Sequence, residues 1–186
     1  NRDQCLLDLL ALASRIPEIS YLRGEYYFFV GYLHNLLDEY KQGSRYHRLA
    51  VNAYMNSGRE ACAGVALFNL CVAFDHLNAR ELLKMAMAEL DTLSERLALT
   101  SVRALALHFK AYLAIDREEY AEAVQVLHEV LAISQREQRR RESGAVAWLI
   151  VYGYLKLDES EALASTLAEI APDRETFTEE YRDVLD

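Results

Sequence analysis

The sequence predicts an all-α fold of stacked antiparallel helix pairs, an α-α superhelix of about four hairpins, with an irregular helical bundle as the alternative. Three observations carry this. Hydrophobic residues make up 52% of 186 positions, yet the chain holds only 7 Gly and 2 Pro, too few for a turn-rich β architecture. Ala and Leu, both strong helix formers, recur throughout among long charged side chains. Breaks near residues 42, 78, 117 and 158 divide the pattern at intervals of 36, 39 and 41 residues, each the length of two helices and two turns.

The elements follow in order. Leu6, Leu7, Leu10, Leu12 and Ile16 mark a first segment that stops at Pro17. A helix is expected over about 18–40, breaking at Lys41-Gln42-Gly43, and another over about 44–55, breaking at Asn56-Ser57-Gly58. Helices over about 59–76 and 79–97 flank a turn at Asn78. The hydroxyls of Thr100 or Ser101 suit the cap of a helix reaching about Ile115, because they accept from first-turn N–H groups. Asp116 is expected to cap a helix over about 117–136, and Asp158 to cap the helix that ends before Pro172. Between them, residues 139–144 read as a loop preceding a helix to about Leu157. Thr176 or Thr178 starts a last short helix.

The formal charge of -9 disfavours direct nucleic-acid binding, which needs a clustered positive excess. Residues 158–186 concentrate the acidity, with ten Asp or Glu against Arg174 and Arg182. The basic run Arg139–Arg141 reads as a solvated turn and the charged start of the next helix, with a contact for an anionic partner as the other reading. Cys5, Cys62 and Cys71 form no CxxC, and the latter two stand about 13 Å apart on one expected helix, too far to bridge. Reduced thiols in a cytoplasmic protein are the expectation. No apolar run approaches a membrane span and no signal peptide is visible. A chain opening on Asn1 reads as a fragment of a longer protein, with residues 1–186 forming a single helical-repeat domain.

No catalytic or cofactor motif stands out. None of His34, His47, His76, His108 and His128 sits in HExxH or pairs at a recognised zinc spacing. There is no Gly-rich phosphate loop and no GxSxG elbow. The expectation is a chain that is not an enzyme and holds no cofactor or metal.

One stretch carries a family likeness. At 104–137, Ala111 and Ala114 on one helix, then Tyr120, Ala123 and Leu127 on the next, match the small and large positions of a tetratricopeptide repeat. Ala50 with Tyr54, and Ala86 with Leu90, keep the small-then-large step of four. The chain therefore resembles tetratricopeptide-repeat proteins, without the family's usual Trp, Gly and closing Pro. Its irregular pairs are also similar to the helical-repeat region of MalT-like regulators, and its Tyr-rich first helix to Rap-like peptide-pheromone receptors. The resemblance implies a scaffold holding a protein or peptide in the groove lined by the first helix of each pair. The alternative it implies is a sensory or regulatory segment of a bacterial regulator; a homodimer formed by end stacking is a further expectation.

Counting back from each expected turn places His34, Asn69 and His108, with Trp148 near the same height, in one row on those first helices. Asn69 interrupts the apolar stretch Val65–Phe74, where an unpartnered amide is costly. Tyr112 and Tyr152 extend the row, with Tyr27, Arg23 and Lys110 beside it. The cluster Tyr26-Tyr27-Phe28-Phe29 with Tyr32 covers every side of its helix and is expected to be core, with an aromatic groove wall as the rival reading.

Overall fold

The computed structural model describes residues 2–16, 21–138 and 140–170. Among them the fold is all-α, without strands. Nine α-helices follow in order: α1 (Arg2–Ala11), α2 (Tyr21–Leu36), α3 (Tyr40–Asn56), α4 (Glu60–His76), α5 (Arg80–Leu97), α6 (Thr100–Asp116), α7 (Tyr120–Arg136), α8 (Arg140–Leu157) and α9 (Ser160–Ile170). Within each of two units, consecutive helices pack together in a helical-repeat arrangement. The chain divides into two compact units, 1–103 and 104–186.

A strict step sets the repeat. Residues with left-handed backbone stand at 38, 58, 78, 98, 118, 138 and 158, one every 20 residues. Each ends a helix, and the next helix starts two residues later. Only Gly58 is a glycine; Asp38, Asn78, Ala98, Glu118, Gln138 and Asp158 take the same conformation with a side chain. Schellman closures hold it there at 38, 58, 78, 118 and 158. Asp38 N–H donates to Asn35 O at 3.1 Å and Glu39 N–H to His34 O at 2.9 Å, and the pattern recurs at Asn78 (2.8 Å) with Ala79 (2.9 Å). The residue after each turn then serves the next helix. The carbonyl of Glu39 accepts from Gln42 and Gly43, and that of Arg59 from Cys62 and Ala63. One backbone unit closes one helix and opens another, so no side-chain cap is needed.

That economy corrects several expected boundaries. The first turn lies at Asp38, and Gly43 is a buried interior residue of α3. Asp116 is the last residue of α6 and Asp158 the turn residue itself; neither caps a helix. The Leu99 carbonyl, accepting from Val102 and Arg103, opens α6, so Thr100 and Ser101 are its first helical residues. Residues 140–144 belong to α8. The apparent drift in period came from these misplaced turns; the pairs repeat at a constant 40 residues. Pro17, Pro172, Thr176 and Thr178 lie outside the described residues, as do the side chains of the Arg139–Arg141 run.

In the first unit, α4 is apolar nearly all round and packs on α3 and α5. It buries Ala63, Ala66, Leu67, Leu70, Cys71 and Ala73. Small residues let the helices close up while Leu67 and Leu70 fill the gaps, each contributing roughly 1.5–3 kcal/mol by burial. Ala50, Tyr54, Ala86 and Leu90 are all buried, as their step of four suggests. Leu6 of α1 joins Tyr26 and Val30 of α2 in a smaller cluster. In the second unit, Ala111, Leu127, Val146 and Ile150 join α6, α7 and α8 around one core. Ala114 and Ala123 are buried beside them.

Candidate functional site

Each unit is read by itself at the first helices of its pairs, α2 and α4 in the first and α6 and α8 in the second. With the 20-residue step in place, their equivalent positions can be read. One holds Phe28, Phe68, His108 and Trp148; the position one turn later holds Tyr32, Val72, Tyr112 and Tyr152. At a helical step of four the two positions share a face.

In the first unit, Phe28 and Tyr32 stack with ring centroids 6.4 Å apart and planes 13° from parallel. Phe29 lies edge-on to Phe28 at 5.6 Å. Tyr32 is 43% exposed and Phe29 49%, so these rings form a partly open aromatic surface on α2. The aromatic run is therefore divided. Tyr26 goes to the core, Tyr27 and Phe28 are half-buried, and Phe29 and Tyr32 face outward. On α4, Val65 is exposed, while Phe68 and Asn69 are half-buried.

The second unit repeats the arrangement. Trp148 and Tyr152 on α8 stack at 5.7 Å, again 13° from parallel. Tyr120 from α7 meets Tyr152 edge-on at 6.2 Å, and the Lys156 ammonium lies 5.4 Å from the Tyr152 ring centroid. A cation there is attracted by the ring's negative face. Tyr112 on α6 is exposed and touches Phe109 at 5.8 Å, and His108 is half-buried beside it in sequence.

The expected row mixes three repeat positions. His108 and Trp148 are equivalent, but Asn69 is equivalent to Phe29 and Phe109, and His34 to Phe74 and Ala114. His34 entered the row because the first turn was expected too late. It sits near the end of α2, buried, donating from Nδ1 to Glu39 at 2.6 Å and stacked on Tyr46 at 5.4 Å. Tyr27 is half-buried and its hydroxyl accepts from Arg23 at 3.0 Å. Arg23 also donates to the carbonyls of Ala13 and Ile16, at 2.8 and 3.1 Å, holding the segment after α1 against α2. Asn69 donates to Val65 O of its own helix at 3.0 Å. Its backbone carbonyl lies 3.5 Å from the amide of Asn35 on α2, which brings α2 and α4 together.

Sequence reasoning left Phe28 and Tyr32 between core and groove wall, and missed Phe68 and the buried pair Asn35–His47. Phe28 and Phe68 were legible as aromatics spaced by 40, once the step was known. His47 had no signal, because its burial depends on Gly31 and Gly43, two small residues on facing helices. Its ring is fully buried, and loss of hydration lowers its pKa to about 4. Burial also raises the Tyr54 hydroxyl, helped by the carboxylate of Glu25, and pushes the Cys71 thiol up to about 12. Among the described residues no cluster of His, Cys, Asp or Glu has the makings of a metal site, and no helix is long and apolar enough to cross a membrane.

No protein-family model matches the chain, and no curated protein matches it either.

Proposed function

We propose that the chain is a binding module that holds a protein or peptide partner on the aromatic faces of its first helices. One observation carries the reading: the stacked pairs Phe28–Tyr32 and Trp148–Tyr152 occupy the same repeat positions with the same 13° tilt. Rings that only filled a core would be buried, and Tyr32 and Phe29 are nearly half exposed. Flat rings of this kind supply large contact area at small entropic cost, and aromatic residues dominate binding hot spots. Asn69 adds an amide whose oxygen can accept from a partner's backbone N–H. The resemblance to tetratricopeptide-repeat proteins supports the same reading, since the first helices form the binding groove in that family.

A displayed library of random peptides, selected on the wild-type chain and on Phe28→Ala/Tyr32→Ala and Trp148→Ala/Tyr152→Ala variants, tests it. Enrichment of related peptides on the wild type, lost on either variant while helicity persists, is the expected result. Equal enrichment on wild type and both variants would remove the aromatic faces from consideration.

A further inference from the structure

We infer that the outward face of α3 and α5, the second helices of the first unit, is a separate interaction surface that fits an acidic amphipathic segment of a partner protein. In a chain of net charge -9, α3 carries Lys41, Arg45 and Arg48 and no carboxylate. Steps of four and three place the three cations on one side of the helix. Lys41 and Arg45 are exposed, and among the described residues neither has a carboxylate partner. Arg48 reaches across to Glu89 of α5 at 2.6 Å, which sets α5 alongside this basic stripe.

Beside the stripe lies apolar surface that the fold does not require. Leu82 and Met85 of α5 are 49% and 67% exposed, and Leu49 of α3 is exposed as well. The same two repeat positions hold Gln42 and Arg45 on α3, Glu122 and Gln125 on α7, and Ala162 and Ser165 on α9. Only α5 puts large apolar side chains there. A helix with one apolar stripe covers Leu49, Leu82 and Met85, while carboxylates on its flank meet Lys41 and Arg45. Nucleic acid fits less well, because it offers no apolar stripe for Leu82 and Met85 and, with Arg48 held by Glu89, only Lys41 and Arg45 are left to meet phosphates. An anionic membrane would press its charge on Glu81 and Glu89, where a helix can keep its carboxylates to one flank. This surface uses neither the first helices nor their aromatic rings, so it stands apart from the site described above.

The test uses a fluorescein-labelled peptide of about 18 residues, with Leu on one helical face and Glu on the other, and a scrambled peptide of identical composition. Fluorescence anisotropy is expected to show the patterned peptide binding the wild type, more weakly as salt rises from about 50 to 300 mM. Lys41→Glu/Arg45→Glu and Met85→Ser are each expected to weaken it about tenfold or more, a shift of about 1.4 kcal/mol. Tyr32→Ala, which disturbs the aromatic site, is expected to leave it unchanged. Equal binding of the scrambled peptide, or of a single-stranded oligonucleotide, overturns the inference. So do charge-reversed variants that bind like the wild type with native circular dichroism. A doubled mass in sedimentation that Lys41→Glu/Arg45→Glu abolishes would give the face to a second copy instead, and also overturns it.

Discussion

The amide of Asn35 on α2 donates to Nε2 of His47 on α3 across 3.2 Å, within packing that leaves His47 no exposed surface. This orientation places the imidazole proton on Nδ1, which has no partner, and Oδ1 of Asn35 has none either. Such a half-satisfied pair is tolerated because helix packing fixes it. Gly31 and Gly43 supply the room: a Cβ on Gly31 would stand 3.0 Å from the His47 ring, and one on Gly43 would overlap Asn35 Oδ1.

The overlap makes Gly43→Ala a test of that packing. Ala is the better helix former by about 0.5–1 kcal/mol, yet the displaced amide and strained contact cost about 1–3 kcal/mol. Net destabilisation is expected in urea unfolding. In an Asn35→Ala background only the 3.2 Å approach to the Gly31 carbonyl remains, and the same substitution should cost far less. Simple additivity of the two changes would refute the contact as its cause.

His47 also gives stability a pH dependence. Its folded pKa of about 4 lies below the unfolded value of 6.5, so the unfolded state takes up the proton first as pH falls. Stability is therefore full above about pH 6.5 and declines down to about pH 4, by roughly 3 kcal/mol from this group. Urea midpoints at pH 7 and 4.5 measure the decline, and His47→Gln should flatten it.

Ala98 occupies a left-handed position, with φ at 48°, where its Cβ is unfavourable. Its closure is a single bond, Ala98 N–H to Ser94 O at 3.1 Å. Ala98→Gly should stabilise the chain by about 0.5–1 kcal/mol, less whatever glycine adds to the entropy of the unfolded state. Thermal unfolding reads the shift; a lower midpoint would contradict the strain.

The three cysteines should separate by reactivity. Cys5 is exposed, Cys62 intermediate and Cys71 buried, with its thiol pushed up to about 12. With an aromatic disulfide reagent at neutral pH, Cys5 reacts first and Cys71 only when the chain unfolds. Fast modification of Cys71 in the native protein would mean that α4 opens locally.

Trp148 is the sole tryptophan, so its emission reports on the second unit alone. Tyr152→Ala removes the ring stacked on it and should move the emission to longer wavelength as water enters. A partner seated on the aromatic face should move it the other way.

Much of this architecture was legible in the sequence. Helices, pairing and the small-then-large positions at Ala50, Tyr54, Ala86 and Leu90 follow from local composition and packing volume. The turns were less legible, because Ala98, Glu118 and Gln138 carry no turn signature; their left-handed backbone is enforced by the helices on both sides. Gly43 shows the converse, a residue that reads as a break but serves close approach. The displaced first turn then drew His34 into a row where Phe28 belongs. The neighbours of His47 were hidden for another reason, since burial of a polar ring depends on what a facing helix leaves empty.

The constant step between left-handed residues has a consequence for chain length. An insertion or deletion of 40 residues made between equivalent turns joins like to like, and every remaining helix keeps its role. A change of 20 exchanges the aromatic and basic faces beyond the junction. Any other length breaks phase at a turn with no slack to absorb it. The chain can therefore grow or shrink by whole cassettes, and a natural or engineered variant of different length should differ by multiples of that number.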